Sequence, residues 1–191
     1  ASDVYKRQDV ARYAESSGRE NDVAYANAWR YRDWVIEAFD QDVPFDEFII
    51  KQLAGDLLDS QDATERAHNL IATGYLAIGA KGHNTRSQRE FQADLIDEQI
   101  DAFSQGILGI TVACARCHDH KYDPIPQSDY YAVKGIFEST ETLFGTLAGP
   151  GNRMPSALVP LPEAAEVSHG ADLPLNPKLP HAKPTWTKQA V

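Results

Sequence analysis

Cys114-Ala115-Arg116-Cys117-His118 is the stretch of this chain best equipped for chemistry. Cys-x-x-Cys-His is the attachment signature for covalently bound haem c. Two thiols add to the haem vinyl groups, and the histidine imidazole reaches the iron as proximal ligand. Residues three apart on a helix share a face, so both sulfurs can meet one edge of a flat macrocycle. The chain has two cysteines, and both lie here. Other chemistry fits the same residues. Free cysteines are often small core residues, and a Cys-x-x-Cys pair can be a redox dithiol or close as a disulfide. Cys114, Cys117, His118 and His120, with Asp123 as a further candidate, could instead hold zinc or iron, although two histidines separated by one residue are closer than usual zinc spacings. Met154, the lone methionine, is a candidate soft sixth ligand to haem iron; loop packing is the commoner role for such a residue.

The elements that would position the motif follow from periodicity. Ile96, Ile100, Phe103, Ile107, Ile110, Cys114 and Cys117 are separated by steps of four and three. That is one apolar stripe of a helix, and it predicts a long helix from about Gln88 to Cys117 with inward-facing thiols. Pro124 and Pro126 end any helix beyond it. Upstream, Ala24 to Phe39 reads as an aromatic-rich helix with Tyr25, Trp29, Ile36 and Phe39 on one face. Pro44 suits the first turn of a second helix, whose buried stripe is Phe45, Phe48, Ile49 and Leu53 and whose stop is Gly55. Asp62-x-x-Glu65 resembles a capping box opening a third helix, to about Leu76. Ser128 is the expected cap of a short last helix with Tyr131, Ile136 and Phe137 on its apolar side. No segment alternates with a period of two. The expected fold is mostly α: a compact helical domain of about five helices over residues 9–145, then an extended Pro-rich tail, 146–191, read as a linker or the truncated start of a following region.

A second cluster, Asp94, Asp97, Glu98 and Asp101, crowds two turns of the fourth helix. A solvated acidic face is the simpler reading. The other is a set of carboxylates that hold a metal or pair with Arg30, Arg32 or Arg89, and Asp97 or Asp101 is expected to meet Arg30 or Arg32. The net charge of −10 argues against nucleic acid, whose phosphates would repel the chain. No apolar run approaches the roughly 20 residues that span a bilayer. Residues 1–8, Ala-Ser-Asp-Val-Tyr-Lys-Arg-Gln, read as a translated sequencing-library adapter and are set aside from fold reasoning. The chain is therefore read as a metagenomic fragment with its true N-terminus missing.

Several blocks together are similar to one family: Ala11-Arg12-Tyr13-Ala14-Glu15-Ser16, Trp29-Arg30-Tyr31-Arg32-Asp33-Trp34, Gln52-Leu53-Ala54-Gly55-Asp56-Leu57, Ile71-Ala72-Thr73-Gly74-Tyr75, Asp97-Glu98-Gln99-Ile100-Asp101, and Cys114 through Ile125. They resemble the planctomycete cytochrome-c-like domain, a domain of unknown function, over about residues 9–145. The resemblance implies a large exported, periplasmic parent protein in which a cytochrome c domain precedes this one and a second uncharacterised domain follows. These flanking domains are the implied partners. It also implies haem c on Cys114 and Cys117 with His118 as proximal ligand, and a role in electron transfer. It carries no catalytic residues.

Overall fold

The computed structural model describes residues 10–165 and 167; the adapter-like residues and most of the Pro-rich tail lie outside them. The described chain is mostly helical. Its five helices are α1 (Ala28–Asp40), α2 (Phe45–Ala54), α3 (Ala63–Ala72), α4 (Gln88–Phe103) and α5 (Gln127–Glu138), with a single helical turn, Gly74–Ala77, after α3. Among the described residues, β-pairing is confined to isolated bridges such as Thr146 with Ser156.

Local sequence explains several boundaries. The Asp62 side chain accepts from the Glu65 N–H at 2.8 Å and so starts α3, as a capping aspartate should. Ser87 does the same for α4 through the Glu90 N–H at 3.1 Å. Gly55 ends α2 through a 3-10 turn, Gly55–Leu57. A Cβ on it would stand 2.1 Å from the Asn69 carbonyl oxygen of α3, so glycine is required by the close approach of two backbones. The last helix differs from expectation. Pro126, not Ser128, occupies the capping position of α5.

The buried faces also differ from the periodicity. In α1 the core residues are Tyr31, Trp34, Val35 and Ala38, while Phe39 is exposed. Tyr25 is buried but precedes the helix. In α2, Phe45 is 70% exposed and the inward positions are Phe48 and Gln52. One polar bond explains the rotation. The Tyr31 hydroxyl donates to Gln52 Oε1 at 2.7 Å, and Gln52 Nε2 donates to the Phe48 carbonyl at 2.9 Å. Gln52 is thereby satisfied and can sit between α1 and α2. Trp34 stacks on Phe48 with centroids 5.1 Å apart. In α5, Tyr130 is buried, whereas Tyr131 and Ile136 are exposed.

The chain after α5 returns to the domain. Thr146 pairs with Ser156, and Met154 is buried with Phe91 and Leu95 of α4, with Phe144 against them. Residues 144–156 thus act as a strap over the first half of α4.

Beside the strap lies Lys81, 2% exposed. Its ammonium donates to the Ala77 carbonyl at 2.6 Å and lies 5.4 Å from the ring centroids of both Tyr25 and Phe144. Burial pushes its pKa down from 10.5 to about 8, with the Glu98 carboxylate opposing that shift. Glu98 in turn holds Arg12 at 2.8 Å. Between pH 8 and 10.5 the unfolded chain keeps a proton the folded chain has released, so the Lys81 contribution to stability rises with pH there. Tyr13, Tyr25 and Tyr130, whose pKa values burial raises, pull the other way above about pH 10. The melting temperature is expected to climb from pH 8 to roughly pH 9.5, and Lys81→Met is expected to flatten that climb. An unchanged slope in the variant would remove Lys81 as its source.

Candidate functional site

The long helix expected from Gln88 to Cys117 is broken in the middle. α4 ends at Phe103, and a π-turn, Ser104–Leu108, follows. The Tyr75 hydroxyl donates to the Ala102 carbonyl at 2.5 Å. A group that enters the ladder in this way favours a π-turn. Gly106 faces that hydroxyl, and a Cβ there would stand 2.1 Å from it. Gly109, at φ +69°, then closes the helix in the left-handed conformation, as is usual at a helix C-terminus.

The motif stands on a separate 3-10 turn, Val112–Arg116, with Cys117 as its capping residue. This reverses the expected burial. In a 3-10 helix, residues three apart eclipse one another. Val112 and Ala115 eclipse on the inner side and are buried with Ile96, Ile100 and Tyr130. Cys114 within the turn and Cys117 at its end are both exposed free thiols. The expectation of inward-facing sulfurs is therefore corrected: the helix break shifts the register and Ala115 takes the interior place.

His118 is exposed. Its Nδ1 lies 2.7 Å from the Asp119 carbonyl oxygen. A carbonyl can only accept, so Nδ1 carries the hydrogen and the neutral ring keeps its lone pair on Nε2. His120 is different: its side chain is 6% exposed. Its Nδ1 accepts from the Tyr122 and Asp123 N–H groups at 3.2 and 2.8 Å. Its Nε2–H therefore donates to Thr111 Oγ1 at 3.0 Å. Both nitrogens are committed to tying the loop 119–125 back to the start of the motif turn.

The turn is clamped by residues that the periodicity does not single out. Arg116 pairs with Asp97 of α4, and the Tyr130 hydroxyl of α5 donates to the same carboxylate. Gln127 Nε2 donates to the Arg116 carbonyl at 3.0 Å, and the Gln127 N–H to Asp119 Oδ1 at 2.8 Å. The expected pairing of Asp97 or Asp101 with Arg30 or Arg32 does not form. Asp101 lies 3.5 Å from Arg12, and Arg32 pairs with Glu15 and Asp33. Arg116 sits two residues before His118 within the motif, but its spacing alone does not point to Asp97, and Arg12, far away in sequence, offered no cue either.

Cys114, Cys117 and His118 are all exposed. Met154 belongs to the separate cluster under the strap. Asp123 stands 3.4 Å from His120 Nδ1. Among the described residues, no three His, Cys, Asp or Glu side chains are grouped so as to hold a metal ion. Among them, too, no helix is long and apolar enough to cross a membrane.

His120→Ala is expected to lower stability by about 1–3 kcal/mol, because two loop N–H groups lose their acceptor. The measurement is urea unfolding. A change within a few tenths would mean that the loop stands without this ring.

Residues 5–142 match the family model PSCyt2, described as a protein of unknown function (DUF1549). No curated protein and no solved structure matches the chain.

Proposed function

For a chain that belongs to the PSCyt2 family of proteins of unknown function, we propose a haem c-binding domain of an exported multidomain protein that passes electrons within its parent. The observation that carries this reading is the set of free groups on the outer side of the motif turn. Cys114 and Cys117 are exposed thiols without a disulfide, one 3-10 turn apart, and His118 has its Nδ1–H held by a carbonyl. A histidine fixed in this way presents Nε2 for metal coordination. The residues fit haem c: the two sulfurs for the thioether links and His118 Nε2 for the proximal position. Haem, when bound, supplies a one-electron couple.

The rest of the work falls to the chain. Arg116, Asp97 and Gln127 hold the turn so that the two sulfurs and the imidazole keep their spacing. Tyr131, whose hydroxyl donates to the Arg116 carbonyl at 3.4 Å, and Tyr122 are exposed beside the motif, and offer aromatic surface to a flat apolar group. The zinc or iron reading needs a further ligand near Cys114, Cys117 and His118 to complete a closed site. His120, the nearest candidate, already has both ring nitrogens hydrogen-bonded.

The test is to produce the chain with cytochrome c maturation machinery outside the cytoplasm. The expected result is haem that remains with the denatured polypeptide and a pyridine haemochrome spectrum of the thioether-linked type. Stoichiometric zinc without covalent haem, or a Cys114–Cys117 disulfide as the stable product, would overturn the proposal.

A further inference from the structure

Against the core cluster of Tyr25, Ala28, Tyr31 and Ile71 lies a cavity of about 360 Å3, within the ~300–1,000 Å3 range of small-molecule sites. Its walls come from α1, the α3 end, the helical turn after it and residues 158–161, and include Tyr25, Ala28, Ile71, Ala77 and Leu158. No residue of the motif turn lines it. Most of that lining is apolar, yet Arg30 is part of it.

Arg30 is the unusual member. Its guanidinium carbon lies 5.3 Å from the Trp29 ring centroid. Its Nε is buried with no hydrogen-bond partner. Among the described residues no carboxylate reaches it, whereas the neighbouring Arg32 holds both Glu15 and Asp33. A buried guanidinium nitrogen without an acceptor is costly, and a planar guanidinium is suited to the two oxygens of a carboxylate. We propose that this cavity binds a small apolar molecule carrying one carboxylate, with the apolar body against Ile71, Ala77 and Leu158 and the carboxylate on Arg30. The site is separate from the motif and does not depend on the haem reading.

Decanoate is the probe, with decanol as its uncharged counterpart, each titrated calorimetrically into the full chain. Saturable one-to-one binding of decanoate is expected, with decanol weaker. Arg30→Gln should weaken decanoate roughly tenfold or more, down to the decanol level, and leave decanol unchanged. Ala77→Phe, which fills the cavity, should abolish both. A melting curve establishes that each variant is folded, and Arg30→Gln decides alone if Ala77→Phe is not. The proposal is overturned if decanoate does not bind saturably, or if Arg30→Gln leaves its affinity unchanged.

Discussion

Under the haem c proposal, replacing both Cys114 and Cys117 by alanine is expected to remove covalent haem entirely while leaving the fold intact. The two halves of that result have different causes. Loss of haem follows because thioether links have no other donor: the chain has two cysteines. Retention of the fold follows from exposure. Both thiols face outward, and the interior side of the turn belongs to Val112 and Ala115. Surface substitutions usually change stability by no more than about 0.5 kcal/mol, so urea unfolding of the unmatured double variant should overlay that of the parent. Haem-stained denaturing gels read the first half. Haem stain that persists in the double variant would sink the assignment of these sulfurs; a large stability loss would contradict their placement on the outer side.

The second large effect concerns what lies beneath the turn. Ile100 is fully buried, in one cluster with Ile96, Val112, Ala115 and Tyr130. It is the point where α4, the motif turn and α5 meet. Ile100→Ala should cost about 2–5 kcal/mol, the usual range for a deleted core side chain that leaves a cavity. Ile136→Ala is the matched control. Periodicity places Ile136 on the apolar side of α5, but it is 63% exposed, and its truncation should cost less than about 0.5 kcal/mol. Similar losses at the two positions would mean that the three elements are not packed through Ile100.

The helical character of the chain was legible because it rests on local signals. Asp62 caps α3 with its own side chain, and Gly55 lies where α2 stops. The faces were less legible. Phe45 and Phe48 both fit a helical stripe, and the choice between them depends on Tyr31 reaching Gln52 across 21 residues. The motif turn shows the same limit more sharply. Steps of four and three from Ile96 to Cys117 are consistent with one continuous helix. The break depends on a hydroxyl 27 residues upstream, Tyr75, taking the Ala102 carbonyl. Periodicity records which residues are apolar; it does not record a distant side chain entering the backbone ladder. At the site, Cys114, Cys117 and His118 were legible from type and spacing. Arg116, Asp97 and Gln127 were not, because their partners belong to three separate elements.

The strap over α4 bears on where this unit can be cut. The stretch recognised by family likeness ends at residue 142, yet Phe144 and Met154 lie beyond it and cover Phe91 and Leu95. A protease that cleaves near residue 145, or a gene fusion spliced there, would leave those two side chains of α4 open to water. The portable piece is therefore longer than the recognisable one, and a transplant that preserves the domain must carry the chain through at least Met154.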